Sequence, residues 1–122
     1  MSTIKLGGKL SALGPATTAA IVLTGTMDEM FRNWTNTGKI CRLVEAAFYK
    51  LFIDGELDLP TEPATFEYGM LDITVTPLVQ NGRAKVYKIT VTNLLLDPND
   101  KRGQRAYRYI NYGNGAGSFR AL

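Results

Sequence analysis

The C-terminal third of the chain interleaves basic and aromatic side chains in a way that suits nucleic-acid binding. Residues 101–112 read Lys-Arg-Gly-Gln-Arg-Ala-Tyr-Arg-Tyr-Ile-Asn-Tyr. Guanidinium and ammonium groups neutralise phosphates, and tyrosine rings stack on unpaired bases. We therefore predict a nucleic-acid-binding site for single strands made of Lys101, Arg102, Arg105, Tyr107, Arg108, Tyr109, Tyr112 and Arg120.

The same segment also has a structural interpretation, which the sequence alone leaves open. Tyrosine is an ordinary strand residue, and neighbouring arginines can be solvated or can pair with acidic residues elsewhere in the chain. If 105–112 is a strand, alternation separates its side chains into two sets. One face then carries Arg105, Tyr107 and Tyr109, and the other carries Arg108, Ile110 and Tyr112.

The charge is distributed unevenly, which the net charge of +3 conceals. Residues 1–78 hold six basic and nine acidic side chains, a net charge of −3, whereas residues 79–122 hold eight basic and two acidic ones, a net charge of +6. A basic segment is thus attached to an acidic one. This asymmetry favours a polyanionic partner for the C-terminal third.

The side chains of most catalytic and metal sites are missing or poorly placed. There is no histidine, which removes the usual general base and the commonest zinc ligand, and the single Cys41 excludes an internal disulfide. The carboxylates of 54–62 lie on a proline-bearing connector where water keeps them ionised. The glycines of 113–117 are not followed by a helix that could face a phosphate. We expect no catalytic residue, no metal site and no cofactor.

A long hairpin is the clearest structural prediction. Leu71, Ile73 and Val75 alternate with polar residues, as do Tyr87, Ile89 and Val91, and Asn81-Gly82 lies between the two runs. Asn-Gly between alternating runs is the strongest short-range hairpin signal, because both residues tolerate positive φ. We predict a hairpin of 66–78 with 84–96, followed by a strand over 105–112.

The helices come earlier in the chain. Apolar residues at i, i+3, i+4 and i+7 predict the main helix over about 39–53, with a fresh N-cap in 35–38. Thr26 and Glu29 have capping-box spacing, so a short helix is predicted over about 27–34. The β-branched residues before it favour two short strands within 2–24, the second of them over 17–24.

Together these elements predict an α+β fold. An antiparallel sheet of four to five strands packs against the main helix in a single domain of residues 1–112, and residues 113–122 form a flexible glycine-rich arm. The apolar arc of the main helix is wide, so a second face of it must meet the N-terminal strands, the short helix or another copy of the chain, which is a first indication of oligomerisation. No segment approaches the roughly 20 apolar residues of a membrane span, and we expect a cytoplasmic protein with no membrane partner.

Two functions fit this description. The first is a small non-enzymatic binding protein, oligomeric, that holds single-stranded nucleic acid on its basic, tyrosine-bearing C-terminal strand. The second is a self-assembling structural subunit, of a virion or another assembly, in which the C-terminal arm and the polar sheet face join neighbouring copies.

Overall fold

The computed structural model describes residues 2–5, 18–53, 59–68, 70–79, 85–113 and 117–122. The chain divides into two compact units. One consists of Lys5–Leu59, and the other of Met1–Ile4 together with Pro60–Leu122. The described helices longer than one turn belong to the first unit, and the sheet belongs to the second.

The second unit is a six-stranded sheet whose spatial order follows the chain. Its strands β2 to β6 each run antiparallel to their neighbours, which confirms the predicted antiparallel sheet. A further short strand, β1, lies at the edge beside β2. The bounds are β1 Ser2–Lys5, β2 Ala64–Tyr68, β3 Leu71–Val79, β4 Lys85–Asn93, β5 Gln104–Asn111 and β6 Gly117–Ala121.

The predicted hairpin is confirmed as the pair β3 and β4. Alternation of apolar and polar residues places Ile73 opposite Val91 and Val75 opposite Ile89, and all four are buried. Thr74 lies opposite Thr90 on the other face, where both are half-buried. We call these two sides of the sheet the buried face and the exposed face. The Asn81-Gly82 turn lies outside the described residues.

Two segments differ from the prediction at the ends of the sheet. Tyr68 pairs with Leu71, so residues 66–68 belong to the separate strand β2 and not to the start of β3. Residues 117–121, predicted as part of a flexible arm, form the ordered strand β6. Pairing to β5 supplies backbone hydrogen bonds that the composition of the arm does not suggest, and this arm prediction is therefore corrected for 117–121.

The first unit contains two helices joined by a short turn. Helix α1 spans Thr18–Arg32 and helix α2 spans Thr37–Phe48, and a π-helical turn, Tyr49–Ile53, continues α2. Asn36 caps α2 by accepting a hydrogen bond from the Lys39 amide at 3.1 Å, which confirms the predicted cap. The side chains of Met27, Met30, Ile40 and Val44, which belong to these two helices, are buried.

The strand predicted over 17–24 is wrong, because 18–24 is helical. Alanine and leucine in this stretch are strong helix formers, and they extend the helical spacing of Met27 and Met30 backwards. Thr26 therefore lies inside α1 and is not its cap. Glu29 instead joins the two helices, since it forms ion pairs with Arg32 at 2.7 Å and with Lys39 at 3.7 Å. The hydrogen bond from Arg32 lowers the pKa of Glu29.

Candidate nucleic-acid interface

The strand β5 separates the predicted site residues onto opposite faces of the sheet, as alternation requires. Tyr107 and Tyr109 lie on the buried face, opposite Ile89 and Tyr87 of β4. Arg108 lies on the exposed face. The prediction that Arg105 shares a face with the two tyrosines is confirmed. The basic and aromatic residues that alternate along the sequence thus do not form one continuous surface.

Three cations form a line across the exposed face, which we call the basic row. Arg108 of β5 pairs directly with Lys88 of β4 on one side and with Arg120 of β6 on the other. All three side chains are exposed. Because neighbouring strands are about 4.8 Å apart, the row crosses roughly 10 Å of sheet.

The basic row has no counter-ion among the residues that the structure describes. The ion pairs found among the described residues join Glu29 to Arg32 and Lys39, and Asp100 to Arg102, and none of them involves the basic row. Like charges placed directly opposite each other on neighbouring strands destabilise a sheet. An anion bound along the row would remove that repulsion.

Both polar and apolar side chains lie next to the row on the same face. Thr90 and Ala106 lie beside it on β4 and β5, and the apolar pair Val86 and Ile110 lies on its other side, with Ser118 opposite Ile110. Farther along, the Gln104 amide donates a hydrogen bond to the Thr92 hydroxyl at 3.3 Å. The row therefore has hydroxyl groups next to its positive charges on both sides.

Tyr107 and Tyr109 cannot serve as the predicted stacking platform, because each is only 3% exposed. They form an aromatic cluster on the buried face. Tyr107 stacks on Phe119 with ring centroids 5.5 Å apart, and Tyr109 lies 6.3 Å from Tyr87. The Tyr109 ring also covers Gly117, where an added Cβ would lie 2.5 Å from the phenolic oxygen. This clustering explains their burial and corrects the prediction for both.

The remaining predicted residues lie apart from the basic row. Arg105 is half-buried on the buried face. Lys101 and Arg102 belong to a short 3₁₀ helix, Lys101–Gly103, which precedes β5 and lies at least four residues, or about 13 Å of strand, from Arg108. Tyr112 follows β5 and is 47% exposed, so it is the one predicted tyrosine with an accessible ring.

Arg102 is already engaged by a neighbouring carboxylate. Its guanidinium contacts both oxygens of Asp100, at 3.1 Å and 2.9 Å, and the hydrogen bonds lower the pKa of Asp100. Lys101 and Asp100 line a cleft of about 490 Å³ formed by the β4–β5 connection. Arg102 is therefore a weaker candidate for phosphate contact than Arg108.

Two carboxylates occupy the other end of the exposed face. Glu67 of β2 pairs directly with Asp72 of β3. Burial raises the pKa of Asp72, and the negative charge of Glu67 raises it further. The Asp72 Oδ1 atom is buried and has no hydrogen-bond partner among the described residues. We call Glu67 and Asp72 the acidic pair.

Lys88 is the member of the basic row that the sequence analysis missed. Its place on the polar side of β4 was evident from its alternation with Ile89, because Thr90 and Thr92 share that side. Its alignment with Arg108 depends on how β4 and β5 pair across a ten-residue connection. The sequence of neither strand alone determines that register.

In the described parts of the chain, no three potential metal-binding side chains of the His, Cys, Asp and Glu types come together. Nor do those parts contain a helix that is both long and apolar enough to cross a membrane. Comparison with known proteins gives no relative: no protein-family model, no curated protein and no solved structure matches the chain.

Proposed function

We propose that the protein is a non-enzymatic binding protein that holds single-stranded nucleic acid along the basic row. The observation that carries the proposal is the direct alignment of Lys88, Arg108 and Arg120 on three neighbouring strands, all exposed. Such a row raises the local concentration of a polyanion and loses its internal repulsion when phosphates bind.

A single strand suits this arrangement better than a duplex. The three charges follow one line on an open sheet face, and one flexible phosphate backbone can follow that line. Arginine guanidinium planes can stack on unpaired bases, which compensates in part for the burial of Tyr107 and Tyr109. Tyr112 is accessible at the end of β5 for one further stacking contact.

The test is a salt titration of binding to a fluorescently labelled oligonucleotide. Three phosphate contacts per chain predict that each chain in contact with a single strand contributes about −2 to the slope of log K against log salt. Arg108→Ala should weaken binding about tenfold, roughly the free energy of one charge-assisted hydrogen bond, and reduce the slope by about 0.7 per chain. Arg42→Ala is the matched control, because Arg42 is equally an exposed arginine but lies on α2.

Each result of this titration has a clear meaning. Salt-dependent binding that Arg108→Ala weakens and Arg42→Ala leaves unchanged supports the proposal. No binding at low salt overturns it, and so does equal loss in both variants, which would indicate diffuse attraction to a basic protein.

A second candidate function, a subunit of a larger assembly such as a virion, is favoured by apolar residues at one end of the sheet. The Leu94 amide donates a hydrogen bond to the Met70 carbonyl at 2.8 Å, so these residues are adjacent. Their side chains are 43% and 46% exposed, and Leu95 is more exposed still. Clustered exposed apolar side chains mark interaction sites.

Light scattering tests this second function. An assembly predicts a mass above that of two 13.4 kDa chains, and Leu95→Glu should reduce it. The matched control is Leu78→Glu, an exposed leucine outside this cluster. A wild-type mass no larger than a dimer would exclude the assembly.

A further inference from the structure

Among the described residues, β6 is an edge strand of the sheet, and its register shows which backbone groups point away from β5. The Leu122 amide donates to the Ala106 carbonyl at 3.0 Å, and Ala121 is opposite Tyr107. In an antiparallel pair, hydrogen-bonded and non-hydrogen-bonded residues alternate. Gly117 and Ala121 therefore direct their N–H and C=O groups away from β5.

This edge carries one charged side chain, Arg120, but it has neither a proline nor a bulge that would prevent pairing with another chain. Natural edge strands are blocked by proline, by charged side chains, by a bulge or by being very short. Residues 117–121 contain no proline or lysine, and their pairing with β5 runs without a register shift. Gly117, Arg120 and Ala121 are all exposed, so the edge is accessible.

We propose that β6 pairs antiparallel with β6 of a second copy around a two-fold axis. In the register that places Gly117 opposite Ala121 of the other copy, the outward groups of these two residues of each chain contribute four hydrogen bonds between the chains. Shifting the register by two residues separates these pairs. The two-fold pairing is therefore self-complementary in the way that a closed dimer requires.

The same register also keeps the Arg120 side chains of the two copies from lying opposite each other. Arg120 lies on the exposed face one residue before Ala121, so it comes opposite Ser118 of the other copy and not opposite a second Arg120. Direct opposition of two arginines would destabilise the pair. Among registers centred on β6, this one satisfies the backbone and separates the like charges.

The dimer would complete the nucleic-acid surface, and this consequence rests on the proposed function. Strands β4, β5 and β6 of one copy would continue into β6, β5 and β4 of the other. The two basic rows would lie side by side, offset by two residues or about 7 Å, and together span roughly 24 Å. Six cations in place of three would double the salt slope to about −4.

The experiment compares Ala121→Pro with Ala121→Val by sedimentation equilibrium over a range of protein concentrations. Proline removes the outward N–H of residue 121, and because that group points away from β5, no hydrogen bond within the chain is lost. Valine retains the N–H and suits a strand. We expect the wild type and Ala121→Val to be dimeric, and the dimer dissociation constant of Ala121→Pro to be at least tenfold higher.

A second measurement does not depend on any variant. Hydrogen exchange of the Ala121 amide in the wild-type protein should slow as the concentration rises through the dimer dissociation constant. A wild-type monomer overturns the dimer, and so does a dimer whose strength and Ala121 exchange are insensitive to proline and to concentration.

Oligonucleotide titration of the same proteins separates the two proposals. If the wild type binds with a slope near −4 and the monomeric Ala121→Pro binds with a slope near −2, both are supported. If the protein dimerises through β6 but binds no oligonucleotide, the dimer stands and the proposed function fails. If a strictly monomeric wild type binds with a slope near −2, the proposed function stands and the dimer fails.

Discussion

The two faces of β4, β5 and β6 carry side chains that alternate in sequence but have opposite surroundings. On the buried face, Tyr107 and Tyr109 contact other aromatic rings and are almost inaccessible. On the exposed face, Arg108 is solvated between two other cations. Interleaved arginine and tyrosine therefore indicate one strand with two different faces, one that contributes to stability and one that the proposed function assigns to ligand contact.

The largest expected effect comes from the buried face. Tyr107→Ala removes a ring that stacks on Phe119 and leaves a cavity, so it should lower the free energy of unfolding by about 3–5 kcal/mol. Urea denaturation followed by circular dichroism measures this. The folded fraction should still bind oligonucleotide with the wild-type salt slope. A Tyr107→Ala variant that is stable but does not bind oligonucleotide would instead mean that Tyr107 contacts the ligand.

Gly117→Ala tests how tightly the aromatic cluster covers the edge strand. The new Cβ would lie 2.5 Å from the Tyr109 oxygen and 2.8 Å from its ring, so the ring or β6 must move. We expect a loss of about 1–3 kcal/mol in urea denaturation.

The control for this variant is Gly25→Ala. Gly25 lies within α1, and nothing lies within 4 Å of the position of its added Cβ. Alanine there should raise the free energy of unfolding by about 0.5–1 kcal/mol. Equal effects at the two glycines would contradict the close contact between Gly117 and Tyr109.

Most of the sheet, but only part of the site, could be predicted from the sequence. The alternating runs and Asn81-Gly82 are local signals, and they correctly predicted β3 and β4. Gly69 between Tyr68 and Leu71 is a further turn signal, and the predicted strand over 66–78 ignores it and so joins β2 to the hairpin. Helix α1 was missed at its start because an apolar run of this length suits either a strand or a helix.

The site depends on pairings between distant parts of the chain. The alignment of Lys88 with Arg108 follows from the β4–β5 register, and that of Arg108 with Arg120 follows from the β5–β6 register. Neither register is determined by the composition of one strand. The burial of Tyr107 and Tyr109 likewise depends on which face of the sheet is covered, and alternation alone leaves that undecided.

Arg108→Thr should separate stability from binding on the exposed face. It removes the central charge of the basic row, so repulsion from Lys88 and Arg120 decreases, and threonine suits a strand. We expect the free energy of unfolding at low salt to rise by about 0.2–1 kcal/mol, while oligonucleotide affinity falls about tenfold. Thermal unfolding and fluorescence anisotropy measure the two effects. Loss of both stability and binding would mean that Arg108 supports the fold.

Asp72 lies on the same face as Arg108 but carries a negative charge. Burial and the nearby charge of Glu67 both disfavour its ionised form and raise its pKa. A folded-state pKa above the unfolded value of about 3.9 means that protonated Asp72 favours folding at low pH. That contribution is lost as the pH rises through the folded pKa. Asp72→Asn should therefore stabilise the protein at pH 7, by less than about 1 kcal/mol because solvent screens the charge, and should make little difference near pH 3.

Thermal unfolding at pH 3 and pH 7 measures this difference, and an NMR titration of the Asp72 carboxyl group identifies its source. Glu67→Gln is the matched variant, since it removes only the repulsion and should lower the pKa of Asp72 while leaving the effect of burial. A stabilisation by Asp72→Asn that is equal at both pH values would contradict an electrostatic origin.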